Sequence, residues 1–261
     1  MTDATLPLRL LPRAGADVDA RPGLARLTAV ELRKMVDTRA GFWLLTAIGL
    51  ITVTAMALMA ILADPKDQTL RGMLEVAVLP TAVLMPIVGV LLVTSEWGQR
   101  TALITFSLVP ERTRVFAAKI AAASLVSIAA AWVCLALAAV ATAAAAPGVA
   151  DTWELPAAMI GQLLIYTVTG TLIGVAFGAL VLASAPAIVA LFAVPIAWGV
   201  IAALAGIEDI ARWADSDTGL SPLLEGTMSG VEWARAGTTL LVWLVVPLAV
   251  GLWRVRRAEI R

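Results

Sequence analysis

SEWGQRTALITFSLVPERTRVFAAK, residues 95–119, lies between two long apolar runs, and the rest of the chain is organised around it. It is too polar to cross a bilayer. Glu96 and Arg100 are four apart, a spacing that pairs them on one face of a helix. Trp97, Thr101, Ile104 and Leu108 recur at helical spacing and form a mostly apolar stripe on the same helix. Pro110 ends that helix, and Glu111 opens the next where an acid suits the positive end of the helix dipole. Arg112, Arg114 and Lys119 stand at the entrance of the following span, at headgroup level. The expected element is a short amphipathic helix held beneath a membrane by a span on either side. Spacing alone fits an ordinary helical loop as well.

Composition agrees with a membrane setting. Of the 261 residues, 61% are hydrophobic and the mean hydropathy is +0.92, well above a soluble domain. There is no histidine, which removes His-based acid–base catalysis, His metal sites and His proton relays together. The single cysteine, Cys134, lies in an apolar run and reads as a packing thiol. No GxxxxGK[ST] phosphate loop occurs, so the chain is not expected to be an enzyme that hydrolyses ATP itself.

Outward from the central stretch, residues 1–23 carry three prolines and no sustained periodicity, and read as a cytoplasmic tail without a signal peptide. Residues 24–38 form a basic amphipathic helix: Ala25, Ala29, Leu32 and Val36 share one face, with Arg26, Arg33 and Lys34 elsewhere, placed to meet lipid phosphates. A solvated helix is the plainer alternative. Six spans follow at about 41–63, 73–94, 115–146, 157–183, 187–205 and 236–253, each near or above the length a bilayer requires. They make 24–254 a single transmembrane domain, with a basic tail at 255–261. Pro80 and Pro86 bend the second span, and Pro195 interrupts the fifth. The third is longer than a bilayer needs. Ser184, Ala185 and Pro186 read as a tight turn between the fourth and fifth spans. The segment 206–234 is the longest polar stretch between spans and is strongly acidic. The expected fold class is therefore all-α, a polytopic membrane protein of six transmembrane helices.

Fifteen of the nineteen Lys and Arg residues fall on one side of this layout. By the positive-inside rule both termini and the 95–119 stretch are cytoplasmic.

Inside the spans the sequence offers little chemistry. Their interiors read as free of acids and bases, which counts against a self-powered ion-coupled pump. Gly170, Gly174 and Gly178 form a GxxxGxxxG face in the fourth span, suited to close packing within the chain or to a dimer seam. Gln162, Tyr166 and Thr169 share another face of that span, placed for interhelical hydrogen bonds or to line a path. Trp132, Trp198 and Trp243 fall mid-span, where packing is the default. No metal site is expected.

Glu96, Trp97, Gly98, Arg100, Thr101, Pro110, Arg112, Arg114 and Lys119, in this order after a second apolar span, resemble the membrane subunits of ABC-2 type ABC transporters. The close match covers about 25 residues, Ser95–Lys119, and the six-span layout extends it over most of the chain. Gly98-Gln99-Arg100-Thr101 departs from the Gly-next-to-Thr pattern of many members. The resemblance implies a permease subunit of an ATP-driven exporter, forming the translocation path in a bacterial cytoplasmic membrane. Sixteen arginines against three lysines, with abundant alanine, suggest a GC-rich, actinobacterial-like source. Residues 24–38, with Arg26, Arg33 and Lys34, would be the elbow helix. Glu96, Trp97, Arg100, Thr101, Ile104 and Leu108 would belong to the coupling helix that meets the ATPase. The implied partners are two copies of a cytoplasmic ABC ATPase, a second permease subunit (a copy or a sibling) and membrane lipids, with no nucleic acid. This chain would bind no cofactor; ATP and Mg would sit on the ATPase. A membrane anchor or sensor scaffold that recruits a cytoplasmic partner without transport is the alternative. The substrate is not specified by the sequence.

Overall fold

An apolar run in hydrocarbon has to satisfy its own backbone hydrogen bonds, and a helix does so within one segment. The apolar runs of this chain accordingly become helices. The structure is a computed structural model that describes residues 22–99, 111–145, 148–226 and 228–257. In chain order these contain α1 (Leu24–Asp37), α2 (Arg39–Leu62), α3 (Leu70–Gly98), α4 (Arg112–Ala145), α5 (Ala157–Val181) and α6 (Ser184–Ala205). Three short helices follow, α7 (Glu208–Ala211), α8 (Ser216–Leu220) and α9 (Pro222–Glu225). The last helix is α10 (Gly230–Arg257). There is no strand among the described residues. Six helices, α2 to α6 and α10, are long and apolar enough to cross a membrane. Large apolar side chains cover the outside of the bundle, among them Ile61 at 76% and Leu204 at 84% exposure. A surface of that kind is stable in lipid, not in water. This is a multi-pass membrane protein.

The helices start and stop where local chemistry permits. Thr38 caps α2 and Thr69 caps α3, each hydroxyl accepting from the N–H three residues on at 3.2 Å. Gln68 is buried and its amide donates to the carbonyls of Ala60 and Ala63, closing the end of α2. Ser229 and Glu232 form a reciprocal capping box at the start of α10. The α5–α6 junction differs from expectation. Ser184 to Pro186 are the first turn of α6, where proline costs no hydrogen bond. The reversal occurs one step earlier, at Leu182 in the left-handed conformation (φ 61°) and Ala183.

At the centre, α3 and α5 pack closely through glycine. A Cβ on Gly174 would lie 1.9 Å from the Pro86 carbonyl oxygen, and one on Gly89 would lie 2.2 Å from that of Thr171. Gly178 faces Val90, where an added Cβ would stand 3.0 Å from a carbonyl oxygen. The GxxxGxxxG face is thus covered by α3 of the same chain. Small residues let the two backbones meet, which is how helices associate where lipid removes the hydrophobic drive. Around this pair, α2 and α4 pack on one flank and α6 and α10 on the other.

Two charged residues stand deeper in helices than the sequence reading allowed. Glu75 lies in the second turn of α3, exposed and paired with Arg71 at 2.9 Å, and Arg71 also donates to the carbonyl of Glu225. Lys119 is the second. It does not sit among headgroups but is 3% exposed in the third turn of α4.

Candidate functional site

A buried lysine must be matched in charge and in hydrogen bonds, or it loses its proton. Lys119 is matched in both. Its ammonium donates to Glu31 at 2.6 Å and to the Leu92 carbonyl at 3.1 Å, and stands 3.2 Å from Glu96. Three donors meet three acceptors. Glu31 is itself 3% exposed and uses its second oxygen to accept from Lys34 at 2.7 Å, while Glu96 accepts from the same Lys34 at 2.6 Å. Two acids and two bases thus meet in a tetrad of balanced charge among the described residues. Burial pulls the Lys34 ammonium down, but its hydrogen bonds and charge contacts with Glu31 and Glu96 outweigh this and hold it above the ordinary lysine range.

Each member comes from a different part of the chain. Glu31 and Lys34 are one turn apart on α1, Glu96 is in the last turn of α3, and Lys119 is near the start of α4. The tetrad thus fixes α1 to the two helices that flank residues 100–110. Met35 of α1 joins the same junction in an apolar cluster with Val93 and Phe116, against which half-buried Trp97 packs. The buried side of α1 is Thr28, Glu31 and Met35, whereas Ala25, Ala29 and Val36 of the expected apolar face are exposed. Arg26 and Arg33 remain outward, but Lys34 turns inward to the acids.

The same end of the bundle is tied by arginine. Arg112 donates to the carbonyls of Val255 and Arg256 at 2.7 and 3.2 Å, and Arg254 to that of Leu180 at 2.5 Å. Cations at helix C-termini satisfy otherwise unpaired carbonyls and oppose the negative dipole end. These contacts join the start of α4 to the end of α10, and α10 to the end of α5.

The sequence expectation paired Glu96 with Arg100. Glu96 is engaged by Lys34 and Lys119, while Arg100, Thr101, Ile104 and Leu108 lie outside the described residues. Glu31 was absent from the sequence reading, although its i, i+3 spacing to Lys34 on a basic helix is a visible signal.

A second feature lies between the spans. A cavity of about 210 Å³ is bounded by Pro86 of α3, Tyr166 and Gly170 of α5, Pro195 of α6, Asp217 of α8 and Trp243 of α10. A single π turn at Leu241–Val245 aims Trp243 inward, where it stacks on Phe177 (6.4 Å between centroids) and donates to the Ala214 carbonyl at 2.6 Å. Of the residues expected to line a path, Tyr166 borders this cavity; Gln162 and Thr169 are buried and do not. Trp132 is exposed, and Trp198 is half-buried with its N–H directed at the Ala211 carbonyl. No cluster of metal-ligating side chains occurs among the described residues.

Compared with models of known protein families and with curated proteins, the chain matches none.

Proposed function

We propose that this chain is the membrane-spanning permease subunit of an ATP-driven exporter of the ABC-2 type, working with a separate ATPase subunit. The observation that carries the reading is the tetrad of Glu31, Lys34, Glu96 and Lys119. In this reading residues 100–110 meet the ATPase on the cytoplasmic side, α1 is the elbow helix, and both termini are cytoplasmic. A push on residues 100–110 reaches the ends of α3 and α4, and the tetrad makes α1 move with them. From α3 the displacement passes to α5, because the glycine contacts between them leave no slack. Tight packing of this kind moves as a body and does not deform smoothly. The six apolar helices and the order of residues in Ser95–Lys119 support the same conclusion.

The reading is tested on the chain assembled with its ATPase in lipid vesicles. Trp97→Ala and Arg100→Ala should each reduce the ATP hydrolysis that the chain stimulates by about tenfold or more, with membrane insertion unchanged. Unaltered stimulation in both variants would sink the coupling role. A scaffold without transport would show a stable complex and no stimulation by the wild-type chain.

A further inference from the structure

The cavity between α3, α5, α6, α8 and α10 has a chemistry that the coupling account does not use. Its lining includes one carboxylate, Asp217, and no Lys or Arg. Among the described residues no cation lies within 4.0 Å of Asp217; in the same polar segment Asp209 pairs with Arg212, Asp215 with Thr218 and Glu232 with Ser229, while Glu208 and Glu225 stand outside the cavity lining. Three aromatic rings, Tyr166, Phe192 and Trp243, share the lining. Pro86 and Pro195 remove the N–H groups that would have served the carbonyls of Ala82 and Leu191, and both of those residues border the cavity. The lining therefore offers acceptors, ring faces and one negative charge, with no positive charge to balance it.

We infer that this cavity binds an organic monocation: an ammonium on an apolar body, with Asp217 as its counter-ion and Tyr166, Phe192 and Trp243 around the body. Cations are attracted to aromatic faces even at exposed sites, and both Asp217 and Phe192 are exposed here. A neutral ligand would leave the carboxylate unused, and an anion would be repelled by it. The volume suits a small amine or the head of a larger amphiphile. A lipid ethanolamine headgroup and a free amine present the same chemistry, and the test separates them. Binding by the isolated chain neither requires nor reports ATP turnover, so this inference and the transport reading fail independently.

The test is fluorescence polarisation with the purified full chain in detergent, using dansylcadaverine and its N-acetylated, uncharged analogue. The wild type should bind the amine about tenfold more tightly than the acetylated form, the size of one good charge contact. Asp217→Asn should abolish that preference, Asp209→Asn should keep it, and Phe192→Ala should weaken both probes. Competition by phosphatidylethanolamine but not phosphatidylglycerol would assign the lipid headgroup as occupant; no competition by either would assign free amines. Equal affinity of the wild type for the two probes would overturn the inference without recourse to any variant. An undiminished preference in Asp217→Asn, or an equal loss in Asp209→Asn, would overturn it as well.

Discussion

Lys119 and Glu31 are 88 positions apart in the chain, yet their charged atoms lie 2.6 Å apart and both side chains are almost wholly buried. The contact joins the helix before the first span to the start of the third. Ion pairs of this kind contribute little net stability against apolar substitutes, but removing one partner strands the other in a low-dielectric site. That asymmetry makes the pair a positional device, and it yields a direct prediction. Lys119→Met should destabilise the protein by about 3–5 kcal/mol. Adding Glu31→Gln should recover a large part of the loss, since the remaining Lys34 and Glu96 still pair at 2.6 Å. Chemical denaturation in detergent gives the double-mutant cycle; additive effects would show that the two residues do not act together.

The α3–α5 seam predicts a graded response to added methyl groups. Gly174→Ala places a Cβ 1.9 Å from the Pro86 oxygen and should cost at least about 1–3 kcal/mol. Gly170→Ala meets its nearest atom at 3.7 Å, and Gly49→Ala meets none within 4 Å; both should be tolerated. Thermal aggregation midpoints of the three variants check the order.

Trp243 should hold the short helices over the cavity. Trp243→Phe keeps a ring to stack on Phe177 but loses the donor to Ala214, a hydrogen bond of about 1 kcal/mol. Limited proteolysis between residues 206 and 229 should speed up, with the rest of the chain unaffected. An unchanged cleavage rate would mean that other contacts, such as the Thr239 hydroxyl donating to the Asp215 carbonyl at 3.1 Å, hold the segment.

The charge distribution predicts orientation. On a Cys134→Ala background, a cysteine replacing Lys66 should react with a membrane-impermeant maleimide added to intact cells, and one replacing Arg256 should react only after lysis. The reverse pattern would invert the topology.

Much of the fold was legible because the bilayer imposes one rule, an apolar run long enough to span, and six runs obey it. Boundaries were less legible. Pro186 marks a turn in most contexts, but it is also acceptable in a first helical turn, and here the left-handed Leu182 makes the reversal. The tetrad was hidden for another reason. Glu31 and Lys34 advertise only their local i, i+3 pairing, and their partners are set by how α1 docks on α3 and α4. A clue was present: Lys119 follows Val115, Phe116, Ala117 and Ala118 and so lies inside the apolar run, where a lone cation needs a buried acid to justify its place. The inward aim of Trp243 depends on a π turn, for which the sequence carries no recognisable signal.

In the proposed function an ATPase drives this bundle through its basic end. The most direct measurement is affinity purification of the full chain in mild detergent after co-expression with candidate ATPase subunits. A nucleotide-binding ATPase should co-purify in stoichiometric amount and be lost when Trp97 and Arg100 are replaced together. A well-folded chain that emerges without any ATPase, after all candidates have been expressed, would contradict it.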